Sequence, residues 1–452
     1  MRRNRQPRFW CGLACLSLCI LANHGLVWGE GAGELAGEAE GVSVEPALDA
    51  GSGAVSSGPA WAPHGSFFSR WEPRRGYDLG PAEGSDYVRY RARLGVDGSD
   101  LVRQGALSAG VRWSAQAGGL YGIGGDTLDH PEVGAYEATL ELRHGTQRLQ
   151  VGRFEMSYGE EVIIGAVGWH HLGRSFDGLR WQWRPAQGPQ VDIFATTLHE
   201  GATLGVLGTP LGAGDHYFTG LYVGLAPMLP AQLELDLYTL QRIRPATDRP
   251  ALGGEEAPEQ LELAIEVTLG ARFKGTFGMV DARAEGGVQR GHRRAAELRR
   301  DVAAWHGVAE VGVQPTSAWP RLALQAAYAT GDDPDTADDE AWQTPFSTAH
   351  RWLGWTDIVG PRSNIQALSG HVSYRPLAAL LLSTDVHHFT RPVGPEGSSA
   401  AFGTEVNVGA GYTLARGLIV RAAYGAFVPS SESFADDDDL RHFGELELRL
   451  TF

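Results

Sequence analysis

The closing stretch Glu445-Leu446-Glu447-Leu448-Arg449-Leu450-Thr451-Phe452 alternates strictly between polar and apolar residues. Successive side chains of a strand point to opposite faces, so Leu446, Leu448, Leu450 and Phe452 make one face and the polar residues the other. A helix would mix the two sets. A strand with one face suited to lipid and one to water is the repeating unit of a transmembrane β-barrel.

The amino terminus fits the same destination. Arg2, Arg3, Arg5 and Arg8 precede the largely apolar run Phe9 to Leu26, and a Gly/Ala/Glu-rich tract follows. That order reads as a cleaved secretory leader over 1–29, with a disordered periplasmic segment over 30–64 and the barrel over 65–452. All three cysteines, Cys11, Cys15 and Cys19, fall in the leader, so disulfide, thiol and cysteine-metal chemistry is absent from the mature chain. Losing four arginines and no acids takes the formal charge from -16 to -20, which excludes a nucleic-acid binder on bulk charge. No later stretch reaches the roughly 20 unbroken apolar residues of a membrane helix, so membrane insertion has to be as a closed barrel.

Alternating segments of roughly ten residues recur from about Ser85 onward. Working back from the terminal strand, they fall at 416–427, 402–412, 378–388, 364–375, 320–329, 302–314, 274–286, 259–270, 232–242, 217–225, 190–198, 178–185, 147–154, 135–143, 106–118 and 86–96. An even barrel with both ends on one side needs one more, and Ser66-Phe67-Phe68-Ser69-Arg70-Trp71 supplies it. The expectation is an all-β, antiparallel up-and-down barrel of about 18 strands, with 16 as the alternative. Connections alternate in length. Those near 270–273 and 375–377, for example, are short, and those near 155–177, 287–301 and 330–363 are long. Short turns belong to the periplasmic side and long loops to the outside, which places both termini in the periplasm. The aromatic carboxy-terminus resembles the signal read by the outer-membrane assembly machinery, one expected partner beside the lipid itself.

In Val88-Arg89-Tyr90-Arg91-Ala92-Arg93-Leu94 the three arginines share one face. An arginine at mid-bilayer facing lipid costs about 2–4 kcal/mol, so the set faces the lumen. The same alternation sends Arg112, Arg143, Arg148, Arg180 and Arg184 inward. Later strands put carboxylates there instead: Glu234, Asp236, Glu262, Glu266, Asp385 and Glu405, with Glu445 and Glu447 continuing the series. The expectation is a polarised lumen, arginines on one arc and acids on the rest. Guanidinium forks bind carboxylates bidentately, which suits a path for an anionic solute; equally, the groups can be bridges that brace the wall.

Two blocks carry a family resemblance. Val151-Gly152-Arg153-Phe154-Glu155-Met156-Ser157-Tyr158-Gly159-Glu160-Glu161, with Ile164-Gly165, Trp169 and Gly173-Arg174-Ser175-Phe176-Asp177-Gly178, is similar to the alginate-export family of outer-membrane porins. So is Tyr328-Ala329-Thr330-Gly331-Asp332-Asp333 with Phe346, His350, Gly354 and Asp357. The resemblance implies a monomeric eighteen-stranded barrel whose arginine-lined constriction passes a polyuronate, or in relatives other anionic or small solutes. It implies Arg153, Arg174, Asp177 and Arg180 at or near that constriction, and Asp332 and Asp333 in an outer loop.

The acidic runs containing Asp332, Asp333 and Asp335, and Asp436 to Asp439, match no defined Ca²⁺ loop and read first as solvated outer loops, with Ca²⁺ binding by their clustered carboxylates as the alternative. His170-His171 and His387-His388 are adjacent pairs, which a strand points to opposite faces, so neither pair is expected to share a metal, and no cofactor beyond that Ca²⁺ alternative is expected. No nucleophile elbow or phosphate loop occurs, and no catalytic activity is expected. The leading reading is passive export of an anionic polysaccharide delivered by a periplasmic partner. Alternatives are uptake of small organic acids or other solutes, and a non-transporting surface barrel or barrel hydrolase.

Overall fold

A computed structural model describes residues 58–76, 86–123, 132–198, 216–245, 263–295, 298–348, 350, 352–394, 399–434 and 439–452. The leader expected over 1–29, most of 30–64, Glu262 and Asp436–Asp438 lie outside the described residues. The strands are β1 (Ala60–Arg75), β2 (Asp86–Gln104), β3 (Leu107–Ile123), β4 (Glu132–His144), β5 (Gln147–Phe154), β6 (Phe176–Trp183), β7 (Gln190–Leu198), β8 (His216–Gly224) and β9 (Leu233–Pro245). They continue as β10 (Leu263–Phe277), β11 (Val280–Ala295), β12 (Leu298–Val313), β13 (Arg321–Ala329), β14 (Ile365–Leu377), β15 (Leu380–Arg391), β16 (Ala400–Ala415), β17 (Leu418–Pro429) and β18 (Arg441–Thr451).

Each strand pairs antiparallel with its sequence neighbours, and β1 pairs with both β2 and β18, so the 18-stranded sheet closes on itself. Closure leaves no open edge, which is what lets strands cross a hydrocarbon layer. The strand read around Phe67 is β1; it opens at Ala60, ahead of the boundary at 65. In β18, Leu446, Leu448 and Leu450 are exposed on the outer face while Glu445 and Glu447 are buried inside. Phe452 exchanges two backbone hydrogen bonds with Gly65, at 2.9 and 3.0 Å. A Cβ on Gly65 would stand 2.6 Å from the Phe452 ring.

Two-residue turns join β2 to β3, β4 to β5, β10 to β11 and β16 to β17 at one end of the barrel, and Gly105, Gly145, Gly278 and Gly417 supply the positive φ they need. Two boundaries read from sequence are corrected here. The turn placed at 270–273 lies at Gly278-Met279, because Gly270 sits inside β10, where the Tyr238 ring fills the space a Cβ would take. Within the long loop placed at 287–301, the described residues are strand instead: β11 and β12 stay paired out to Ala295 and Leu298, with Gln289 and Arg293 continuing the buried inward face.

At the opposite end, the connections 155–175 and 330–364 turn into the lumen. Val162, Ile163 and Ile164 of the first and Trp342, Phe346 and Trp352 of the second are buried against Phe154, Phe176 and Phe218 of the wall. The loops also join each other: Ile164 bridges to Phe346, and backbone hydrogen bonds run from Gly165 N to Phe346 O (2.8 Å) and from Thr348 N to Glu161 O (3.0 Å). An Ile side chain gains about 1.5–3 kcal/mol on leaving water, so the Val162-Ile163-Ile164 run favours the folded-in position strongly.

Candidate functional site: a constriction of two inserted loops

The arginine ladder of β2 faces inward as its alternation requires, and it grips the first loop. Arg91, 5% exposed, donates from Nη1 to the His170 carbonyl at 2.9 Å. Arg93 reaches the Leu172 carbonyl at 3.4 Å and Gln116 at 2.6 Å, and Arg89 meets Glu72 and Nδ1 of His171, each at 3.0 Å. Arg70 on β1, wholly buried, joins the set by donating to the Trp169 carbonyl at 2.9 Å while bridging Glu72 and Glu447. Gly173, at φ +71°, lets Arg93 approach: a Cβ there would stand 2.2 Å from its Nη2. Arg174 lies in the loop itself and donates to the carbonyls of Gly165, Phe346 and Ser347, fastening one loop to the other.

On the far side, Arg272 of β10 donates Nε and Nη2 to both oxygens of Glu160, each at 2.6 Å, and also meets Asp236 (2.7 Å) and Glu234 (2.9 Å). Burial alone would raise the Glu160 carboxyl, but the Arg272 hydrogen bonds and charge outweigh it and hold the group at about 2. Burial, with the nearby charges of His170 and Arg89, pushes His171 down to about 3; burial and Arg89 bring His170 to about 4. Both imidazoles are therefore neutral at neutral pH, and the pair stacks with ring centroids 4.0 Å apart.

The second loop is held by Arg293, which donates to the Ala341 carbonyl at 2.5 Å and bridges Glu266, and by Gln289 to the Gln343 carbonyl at 2.8 Å. Thr356 N donates to Glu405 at 3.1 Å. Gly354, at φ +90°, packs on that carboxylate, where a Cβ would come within 2.4 Å. A Gly354→Ala barrel is expected to lose about 1–3 kcal/mol of loop seating and to show larger, noisier single-channel currents than the parent. An unchanged current histogram from folded protein would count against that role.

The polarised lumen expected from sequence is not observed. Arg112 pairs with Asp97, Arg143 and Arg148 with Glu141, and Arg180 and Arg184 with Asp192, all inside the supposed cationic arc. Across the barrel, Arg242 and Arg293 neutralise Glu266, Arg272 meets Glu234 and Asp236, and Asp385 bonds His371. Most of these acids meet a cation on an adjoining strand, so the charges alternate around the wall, while Glu405 accepts from Thr356 instead. Arg153 and Asp177 are corrected more sharply. They pair with each other at 2.7 Å, but with Phe154 and Phe176 in the interior core they share the outer face of Val151 and Leu179. Asp332 is clamped by both nitrogens of Arg300, at 2.5 and 3.0 Å, and Asp333 accepts from the Asp335 backbone at 2.9 Å. The sequence reading missed Arg70, Arg242, Arg272 and Arg293: the first two lie in segments it took for strands and were open to the rule that found Arg91, whereas Arg272 and Arg293 fell in segments it took for a turn and a loop.

A closed barrel with an apolar outer belt, a charged lumen and loops folded into it defines an outer-membrane channel of the porin class. Its fold is similar to that of OpdK of Pseudomonas aeruginosa, solved with vanillate (14% identity, TM-score 0.59, covering 87% of this chain and 98% of that one). It is similar also to OccK5 (OpdH) of the same organism (10%, TM-score 0.58, 87% and 98%) and to OccAB2 of Acinetobacter baumannii (12%, TM-score 0.59, 86% and 98%). No curated protein matches the sequence. The alginate export family model matches residues 133–411, and the chain belongs to that family.

Proposed function

We infer that the barrel carries carboxylate-bearing solutes and that its principal cargo is an anionic, polyuronate-like polysaccharide moving outward in extended form. The observation that supports this most is the extent of the family match, which takes in both inserted loops together with Arg148, Arg180, Arg272 and Arg293. The short-turn end, with both termini, would face the periplasm and receive polymer from a periplasmic partner; the long loops would face outward. On the wall, the partly exposed arginines Arg112, Arg321 and Arg184, paired with Asp97, Asp281 and the buried Asp192, offer guanidinium forks that a passing carboxylate can borrow in turn, so no single site holds it tightly.

The close packing of the two loops favours a second reading, uptake of small organic acids, since a narrow passage suits a small solute. Planar-bilayer recordings separate the two. Uronate oligomers added at the short-turn side should block the current in proportion to length, while neutral oligosaccharides of equal length should not. Equal block by both sugars, or none by either, would overturn the polymer reading; block by monomeric carboxylates alone would favour uptake.

A further inference from the structure

The geometry points to a divalent transition-metal site on the lumenal wall, formed by His371 of β14 and Asp385 and His387 of β15. The alternation of both strands turns all three inward, while their neighbour His388 faces out and bonds Thr404. Register sets His371 directly opposite Asp385 and Ser369 opposite His387, so the two imidazoles lie on a diagonal with the carboxylate beside them. Each residue offers one donor atom, and these atoms lie within 4.8 Å of one another. Ligand atoms about 2.1 Å from a tetrahedral zinc stand about 3.4 Å apart, so small side-chain rotations bring the three onto one ion.

The surroundings resemble the support that bound histidines need. Nδ1 of His387 meets Ser369 Oγ at 2.8 Å, fixing the ring and leaving Nε2 as its donor. Nδ1 of His371 meets Asp385 at 2.7 Å, and its Nε2 is buried with no hydrogen-bond partner. His387 is held between the stacked ring of Phe389 and the edge of His371. Glu405, in register with His387, is engaged by Thr356 and stays outside the ligand set. His371 and Asp385 keep side-chain exposures of 19% and 15%, so one side of the cluster opens to the lumen and a bound ion would retain a place for water or a solute carboxylate. Two imidazoles and one carboxylate without thiolate suit the zinc, nickel and copper range better than calcium or magnesium.

The test uses the untagged, chelator-treated barrel in detergent, with Zn²⁺ as the calorimetric probe and Cu²⁺ for electron paramagnetic resonance. One zinc per chain is expected, with copper spectra showing nitrogen coordination. His371→Gln and His387→Gln should each weaken binding at least about tenfold, and Ser369→Ala by a similar factor through the loosened ring. Heat-modifiable migration establishes that each variant is folded, and the isosteric Asp385→Asn provides a second route if a histidine variant does not assemble. The triple change D332N, D333N and D335N in the acidic loop should leave binding intact. Absence of zinc from the parent, undiminished binding by the lumenal variants, or loss of binding with the loop variant would overturn the assignment.

Discussion

An Arg272→Ala barrel should fold, insert and pass much more current than the parent. Intuition about an arginine-lined pore predicts the reverse, a weaker pull on anions and less current. Arg272 holds the inserted loop by both oxygens of Glu160 and is the shared partner of Asp236 and Glu234. Removing one member of a buried charge cluster costs about 3–5 kcal/mol, chiefly because the remaining carboxylates are left uncompensated. The strand keeps its ladder bonds to β9 and β11, so the loop is what yields. A change of that size shifts the balance between seated and released loop by about a hundredfold or more. Lys274, 3.6 Å from Glu160 but half exposed, recovers little of it. Single-channel recording gives the answer: larger open current and frequent transitions are expected, with Arg272→Lys intermediate. A folded Arg272→Ala protein with the parent's conductance would show that Glu160 does not hold the loop.

The same distinction explains what could be read from sequence. Period-two alternation depends only on near neighbours, so β18, the arginine face of β2 and the existence of β1 around Phe67 were all legible. Turns were legible where glycine takes a positive φ in a two-residue hairpin, as at Gly145, and misplaced at Gly270, whose missing side chain makes room for Tyr238 on the neighbouring β9. Partners were not legible. Arg91 and the carbonyl it holds are 79 residues apart, and Arg272 and Glu160 are 112 apart, so the reading of the ladder as a free cationic track lacked the loops that use it. One signal did exist: Met156, Val162, Ile163, Ile164 and Trp169 are too apolar for a loop standing in water, and with Gly159 and Gly173 among them they mark a segment that folds inward. The lumenal histidine cluster required register, since only the pairing of β14 with β15 brings His371 to Asp385 and His387.

Because the seated loop carries groups whose proton affinities differ from those of a released one, acid should open the channel. Glu160 is held at about 2 against an ordinary 4.5, so its clamp is present in full above pH 4.5 and is lost as pH falls toward 2. His170 and His171 sit at about 4 and 3 against 6.5, so the released loop binds protons first, and the seated loop begins to lose stability below pH 6.5. Depressions of that size correspond to about 3–5 kcal/mol per imidazole, spent between pH 6.5 and the lowered values. The two effects act in the same direction, and the histidine window opens first and overlaps the Glu160 window below pH 4.5. Conductance should be lowest at neutral pH, rise between pH 6.5 and 4, and rise again below 4.5. A His170→Gln, His171→Gln double variant should remove the first rise and keep the second, whereas Glu160→Gln should conduct strongly at every pH because its clamp is already broken. Flat conductance between pH 7.5 and 4, or conductance that grows as pH is raised, would show that the loop's seating does not respond to these groups.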